Sequence, residues 1–182
     1  MGQVPCRAGC SRCCIGPFPI TILDVDSLQQ GLRALPTTRR ETIRKRAAEQ
    51  AAAMQAAYPK LAASRFVDNW PDEELDRLAE QFAHLPCPAL DDQGRCGIYA
   101  FRPLTCRSMG IPTDEGGLTV GACQVQTFVP IVRLSASLRA EEQILAEREA
   151  TALDQFKKSS GVSGEELLLP YGFVSDPLVD KD

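Results

Sequence analysis

The eight cysteines of this chain fall into two groups, and this distribution constrains the fold more than any other feature of the sequence. Four lie within residues 6–14 and four within residues 87–123, with none between the groups. In the first group, the spacing Cys10-x2-Cys13 allows two sulfurs to reach one tetrahedral ion. Four thiols so close together need a chemical explanation, and we infer that the chain holds a metal centre.

Composition indicates a reducing setting for these thiols. Cysteine makes up 8 of 182 residues, about 4%, which is below the roughly 8–10% typical of short secreted disulfide scaffolds. We expect no signal peptide, because the residues before Cys6 have neither a basic n-region nor an apolar h-region, and no apolar run approaches the roughly 18–20 residues of a membrane span. We therefore expect a cytoplasmic protein of one domain, residues 1–182, with no role for a membrane. Structural disulfides are the alternative to metal binding.

The charge of the chain argues against nucleic acid as a partner. The formal net charge is -4 and the isoelectric point is about 5.1, so the chain has no general attraction to phosphates. One basic run does occur, and it consists of Arg39, Arg40, Arg44, Lys45 and Arg46. We interpret this run as the solvated face of a helix. A metal ion is the partner that we expect, and the sequence defines no protein partner.

The adjacent pair Cys13 and Cys14 is unusual for a site with a single ion, because neighbouring side chains diverge. One of the two is expected to bridge two ions, to bind a second ion or to be a buried core thiol. Gly9 and Gly16 flank the cluster and supply the backbone freedom that a tight loop around an ion needs.

Four stretches have the pattern of helices. They are residues 21–35, 37–58, 70–83 and 135–158. The second helix has a capping box formed by Thr38 and Glu41 and an apolar stripe at residues 43, 47, 51, 54 and 58. The fourth helix has a stripe at residues 138, 145, 152 and 156 and ends before Gly161. We expect the apolar part of the tail that follows to pack back onto the domain.

The second cysteine group surrounds a predicted hairpin. Residues 91–94 form a turn tetrad, so Cys87 and Cys96 are expected to approach each other across it. The predicted fold class is therefore mainly α, a single helical domain with a small irregular β-hairpin and cysteine-rich metal-binding loops.

Three further residues near the second group could take part in the site. Arg102 and Arg107 flank Cys106, where their cations could offset the negative charge of a thiolate cluster, although ordinary surface arginines are the alternative. His84 is the only histidine, and we expect it to be a surface or helix-capping residue, since the thiols already suffice as ligands.

These motifs resemble the YkgJ-type CxxCxxCC family of cysteine-cluster proteins, which are described as zinc- or iron-chelating. The resemblance rests on C-x3-C-x2-C-C from Cys6 and on C-P-A-L-D-D-x-G-x-C-x-I-Y-x-x-R-P-x-x-C-R from Cys87. It implies a metal-chelating domain that binds zinc or iron, and a 4Fe-4S cluster is the alternative to single ions. The candidate ligands are Cys6, Cys10, Cys13, Cys14, Cys87, Cys96, Cys106 and Cys123. The first spacing is x3 where the family has x2, so Cys6 is the weakest match.

Three functions fit this chemistry. The first is a chelating protein that holds zinc in a closed site or stores and delivers it, and the second is an iron–sulfur protein in electron transfer or sensing. The third is an enzyme with an open metal position, which ranks last because the chain has no His/Glu zinc-catalytic motif. We also predict that both cysteine groups share one centre, since the gaps in the second group exceed the Cys-x2–4-Cys spacing of self-contained zinc modules.

Overall fold

The computed structural model describes residues 9–110, 112–120 and 130–174, and helices dominate these ranges. In chain order the elements are β1 (Pro19–Thr21), α1 (Ile22–Arg33), α2 (Thr37–Ala57), α3 (Lys60–Ala63), α4 (Asp72–Gln81), a 3-10 helix (Tyr99–Phe101), α5 (Leu104–Ser108), β2 (Thr113–Glu115), β3 (Leu118–Val120), α6 (Ala136–Ser160), β4 (Glu166–Leu168) and α7 (Leu169–Val174). The predicted mainly α fold is confirmed. The predictions that concern Cys6, Cys123 and the end of the tail lie outside the described residues.

The four predicted helices correspond to α1, α2, α4 and α6, but the capping box lies elsewhere than predicted. Helix α2 starts at Thr37, directly after Pro36, and its N-terminus has no side-chain cap. The capping box predicted at Thr38 is therefore wrong, because that residue already lies within the helix. A capping box is present on α1, where Thr21 Oγ1 accepts from the Asp24 amide at 3.3 Å and Asp24 Oδ2 accepts from the Thr21 amide at 3.2 Å.

The core is built on the apolar stripes of α1 and α2. Residues 43, 47, 51 and 54 of α2 are buried, which confirms most of the predicted stripe, and Tyr58 at its end is half-buried. Val25, Leu28 and Leu32 of α1 lie in the same core. Burial of these side chains supplies the main stabilisation of the fold, at about 25 cal/mol per Å² of apolar surface.

The C-terminal segment closes this core. Strand β4 pairs antiparallel with β1, and the following α7 packs against both α1 and α2. Gly172 permits this close contact, because a Cβ there would lie 2.8 Å from Ile20 Cδ1 and 2.9 Å from Leu28 Cδ1. The buried Gln29 side chain donates from Nε2 to the Gly172 carbonyl at 2.8 Å. The prediction that the apolar part of the tail packs back is confirmed.

Helix α6 has the predicted limits but not the predicted buried face. Ser135 caps its N-terminus, and Gly161 ends it with a φ of +71°. Leu138 and Leu145 are 49% and 63% exposed, whereas the buried residue is Leu153. The predicted stripe is wrong at these two positions, because only the C-terminal part of the helix packs against the core.

The strands form two small antiparallel pairs in the described ranges. Besides the β1–β4 pair, β2 and β3 form a hairpin around Gly116 and Gly117. The turn predicted at residues 91–94 is present, but its two sides are joined by a bridge between Leu90 and Cys96. Across the described ranges, every helix is too short or too polar to cross a membrane.

Candidate metal centre

A short antiparallel pairing joins the two cysteine groups. Ile15 and Pro86 form an isolated β-bridge, and the Cys87 amide donates to the Cys14 carbonyl at 2.8 Å. The Gly16 amide donates to the Leu85 carbonyl at 2.7 Å. Gly16 can take this place because its φ of +81° lies in the left-handed region. Two segments that are distant in the sequence are therefore neighbours in the fold.

A second contact links the two groups at the turn that precedes Cys96. A Cβ on Gly94 would lie 3.0 Å from the Gly9 carbonyl oxygen and 3.2 Å from Ser11 Oγ. Gly94 has a φ of +70°, so both the conformation and the close packing favour glycine. Residues 9–11, within the first cysteine group, thus lie directly against the turn at residues 91–94.

The side chains of Cys13 and Cys14 are in contact. The Cys14 thiol donates a hydrogen bond to the Cys13 sulfur, which holds the pKa of Cys13 below its ordinary value and raises the pKa of Cys14. The expectation that these side chains diverge is wrong, because the backbone turns tightly here and the Cys14 amide donates to the Ser11 carbonyl at 2.9 Å. The negative charges of Cys87 and Cys106 also raise the pKa of Cys14, so the second group lies within electrostatic range of the first.

Burial and mutual repulsion raise the pKa values of the thiols of the second group. Burial raises the pKa of Cys87 to about 12, and the charge of Cys96 adds to this effect. Burial likewise raises the pKa of Cys106 to about 12, with further contributions from Cys87 and Cys96. The predicted approach of Cys87 and Cys96 is therefore confirmed. Neither these three thiols nor Cys13 and Cys14 form disulfides.

Backbone amides and a cation oppose this effect of burial. The amides of Ala89 and Leu90 donate to Cys87, and the amide of Ile98 donates to Cys96; all three hydrogen bonds favour the thiolate. The positive charge of Arg102 lowers the pKa of Cys13 in the first group and the pKa of Cys96 and Cys106 in the second. Such donors are the usual means of stabilising a charged sulfur.

Arg102 and Arg107 occupy different positions. The Arg102 guanidinium lies 3.7 Å from the centre of the Tyr99 ring, and its Nε donates to the Tyr99 carbonyl at 3.2 Å. Arg107 donates to the carbonyl oxygens of Ala100 and Arg102, at 2.8 Å and 3.0 Å. Arg107 therefore supports the loop that carries Arg102.

Helices α1 and α2 hold the second cysteine group in place. Asp24 Oδ1 of α1 accepts from the Leu104 amide at 3.0 Å, at the start of the short helix that contains Cys106. Gln50 Nε2 of α2 donates to the Pro86 carbonyl at 2.8 Å, beside Cys87. Polar side chains of the helical scaffold thus fix the backbone next to the thiols.

Two residues of the basic run on α2 contact the second cysteine group. Arg39 lies 3.8 Å from Asp91 Oδ2, and its positive charge lowers the pKa of Cys96. Arg46 Nη1 donates to the Leu90 carbonyl at 2.9 Å. Both side chains are 44% exposed, so the predicted solvated face is confirmed, and these two residues contact the second cysteine group as well. In the sequence, the spacing of seven residues between Arg39 and Arg46 already indicates that both lie on the same side of a helix.

Two further residues of the sequence prediction are Cys10 and His84. Cys10 is half-buried in the first cysteine loop. His84 is exposed, stacks on Phe82 at 6.5 Å between ring centroids, and lines a cleft of about 610 Å³ together with Cys87. Its predicted surface position is confirmed. Over residues 9–110, 112–120 and 130–174, no three His, Cys, Asp or Glu side chains already stand as a group that could hold an ion.

The fold and the gathered thiols define this chain as a small helical cysteine-cluster protein. A model of the CxxCxxCC family, described as "Putative zinc- or iron-chelating domain", matches residues 5–124, which is about two thirds of the chain. The chain belongs to this family, and the resemblance deduced from its motifs is confirmed. No curated protein and no solved structure matches the chain.

Proposed function

We propose that the chain binds zinc or iron through cysteine thiolates that both groups contribute to one shared centre. The observation that carries this proposal is the backbone pairing at Cys14 and Cys87, with a 2.8 Å hydrogen bond between them. It holds thiols from the two groups within range of each other's charge. The proposed ligands come from the eight cysteines, in a single domain that works in the reducing cytoplasm.

The chemistry of the donor set suits such a metal. Thiolates are soft ligands that favour zinc and iron–sulfur clusters, and the amides that donate to Cys87 and Cys96 are typical supports of a charged sulfur. Cysteine ligands must lose their protons to bind a metal, so metal binding and loss of thiol protons are coupled.

An iron–sulfur cluster is the second candidate, and the number of thiols is sufficient for it. Five cysteines, namely Cys13, Cys14, Cys87, Cys96 and Cys106, influence one another's pKa or share the charge of Arg102. A mononuclear zinc site and a [4Fe–4S] cluster each take four thiolate ligands, so these thiols are enough for either one. A cluster would suit electron transfer or redox sensing, whereas zinc would suit a structural role or storage.

Protein isolated without air should contain zinc or iron bound through sulfur. Elemental analysis gives the amount of each metal per chain, and the visible spectrum distinguishes the two candidates, because iron–sulfur centres are coloured and d10 zinc is not. A colourless protein that contains neither metal and has fewer than two reactive thiols would contradict the proposal and favour disulfides.

Arg102→Ala should weaken metal retention by about 10–100-fold, because removal of a group that supports a metal ligand has an effect of this size. Arg107→Ala should act in the same direction but less strongly, since this side chain donates to the backbone of the loop. The measurement is the rate at which each anaerobically purified variant loses its metal to EDTA. Rates equal to that of the wild type in both variants would exclude a role for these arginines.

A further inference from the structure

Helix α2 presents a row of three polar side chains to the second cysteine group. Arg39, Arg46 and Gln50 are spaced by seven and four residues, so they lie on one side of the helix. Two of them bind backbone carbonyl oxygens, since Arg46 donates to Leu90 at 2.9 Å and Gln50 donates to Pro86 at 2.8 Å. The row therefore contacts the backbone of the second cysteine group from Pro86, directly before Cys87, to Leu90, directly before the turn.

Arg39 stands at the end of this row and lies beside Cys96. A Cβ placed on Gly97 would be 3.1 Å from Arg39 Nη2 and 3.3 Å from its Nε, so the guanidinium rests against the residue that follows Cys96. The same guanidinium lies 3.8 Å from Asp91 Oδ2. Glycine at position 97 is what allows this close approach.

Asp91 links Arg39 to the backbone of the turn. Its Oδ1 accepts from the amides of Gln93 and Arg95, at 2.9 Å and 2.8 Å, and its Oδ2 accepts from Arg95 Nε at 3.0 Å. The Gly97 amide donates to the Ala89 carbonyl at 2.8 Å, which closes the loop behind the turn. A cation on a stable helix is thus connected to the backbone on both sides of Cys96.

We propose that Arg39 is a positioning residue for the proposed metal centre, which holds the turn carrying Cys96 against α2 and places a positive charge next to that thiolate. This inference rests on the proposed function. It assigns to α2 a specific part in metal binding that goes beyond its part in the core. Arg39 would act through Cys96, without touching the metal itself.

The test compares Arg39→Ala with Arg40→Ala in the full-length protein. Arg40 is the next residue on α2, and among the residues that the structure describes its guanidinium donates to the nearby Thr37 hydroxyl alone, at 3.4 Å. It is therefore a matched control for the loss of one positive charge. Three quantities are measured: the rate of loss of zinc and iron to EDTA, the thiolate-to-metal absorption after loading with Co²⁺, and the melting temperature of the metal-free protein.

Arg39→Ala should lose metal about 10–100-fold faster than the wild type and should show a weaker Co²⁺ absorption, whereas Arg40→Ala should match the wild type. The metal-free Arg39→Ala protein should melt at the wild-type temperature. An unchanged rate of metal loss, or a melting temperature of the metal-free Arg39→Ala protein well below that of the wild type, would overturn the inference. Failure of the proposed function would look different, because the wild type would then hold neither metal through sulfur.

Discussion

Replacing Cys13 and Cys14 together with serine should leave the full-length protein with less than about a tenth of its wild-type metal. A complete set of thiolate ligands supplies about 10–16 kcal/mol of apparent binding free energy in small structural zinc sites, and loss of two ligands removes much of it. The Cys87 amide donates to the Cys14 carbonyl at 2.8 Å, so the first group would complete the site of the second. Elemental analysis of the anaerobically purified variant measures the effect.

The reciprocal change distinguishes one shared centre from two independent ones. If the centre is shared, Cys87→Ser with Cys96→Ser should remove as much metal as the change in the first group. His84→Ala is the control, because His84 is exposed and borders the cleft next to Cys87, and it should retain the wild-type metal content. If each pair of serines instead removes only half of the metal, the centres are independent and the shared architecture is wrong.

Phe173→Ala should lower the free energy of unfolding by about 3–5 kcal/mol, which is a large part of the roughly 5–15 kcal/mol that stabilises a typical domain. Phe173 is 0% exposed and is among the largest fully buried side chains. It belongs to α7, which packs against both α1 and α2, so truncation leaves a cavity where three helices meet. Urea denaturation followed by circular dichroism measures the loss.

The neighbouring Val174 provides the control for this change. Val174 is 41% exposed, so Val174→Ala should alter the free energy of unfolding by no more than about 0.5 kcal/mol. Equal unfolding midpoints for Phe173→Ala and the wild type would show that α7 is not part of the cooperative core.

The packing of α7 and β4 also matters for the metal centre. The family match ends at residue 124, but the core that supports α1 and α2 is closed by α7 and β4. Those two helices in turn hold the second cysteine group through Asp24 and Gln50. The C-terminal segment therefore supports the cysteine loops without contributing a thiol to them.

Local patterns in the sequence were sufficient to predict the four longest helices and the family of the chain. The apolar stripe of α2 follows from helical periodicity, and the ends of α6 at Ser135 and Gly161 follow from capping preferences, because both depend on residues close in the chain. The choice of cysteine as the candidate ligand is also local, since Cys10-x2-Cys13 is a spacing that suits one ion. These features required no knowledge of the tertiary structure.

Long-range contacts decided the rest. The bridge between Ile15 and Pro86 pairs segments that carry no periodic pattern, so its position could not be deduced from either segment alone. The exposure of Leu138 and the contact of Arg39 with Asp91 depend on which side of a helix meets the rest of the molecule. Sequence periodicity defines the faces of a helix, but only tertiary packing selects the face that is buried and the side chains that lie beside the thiols.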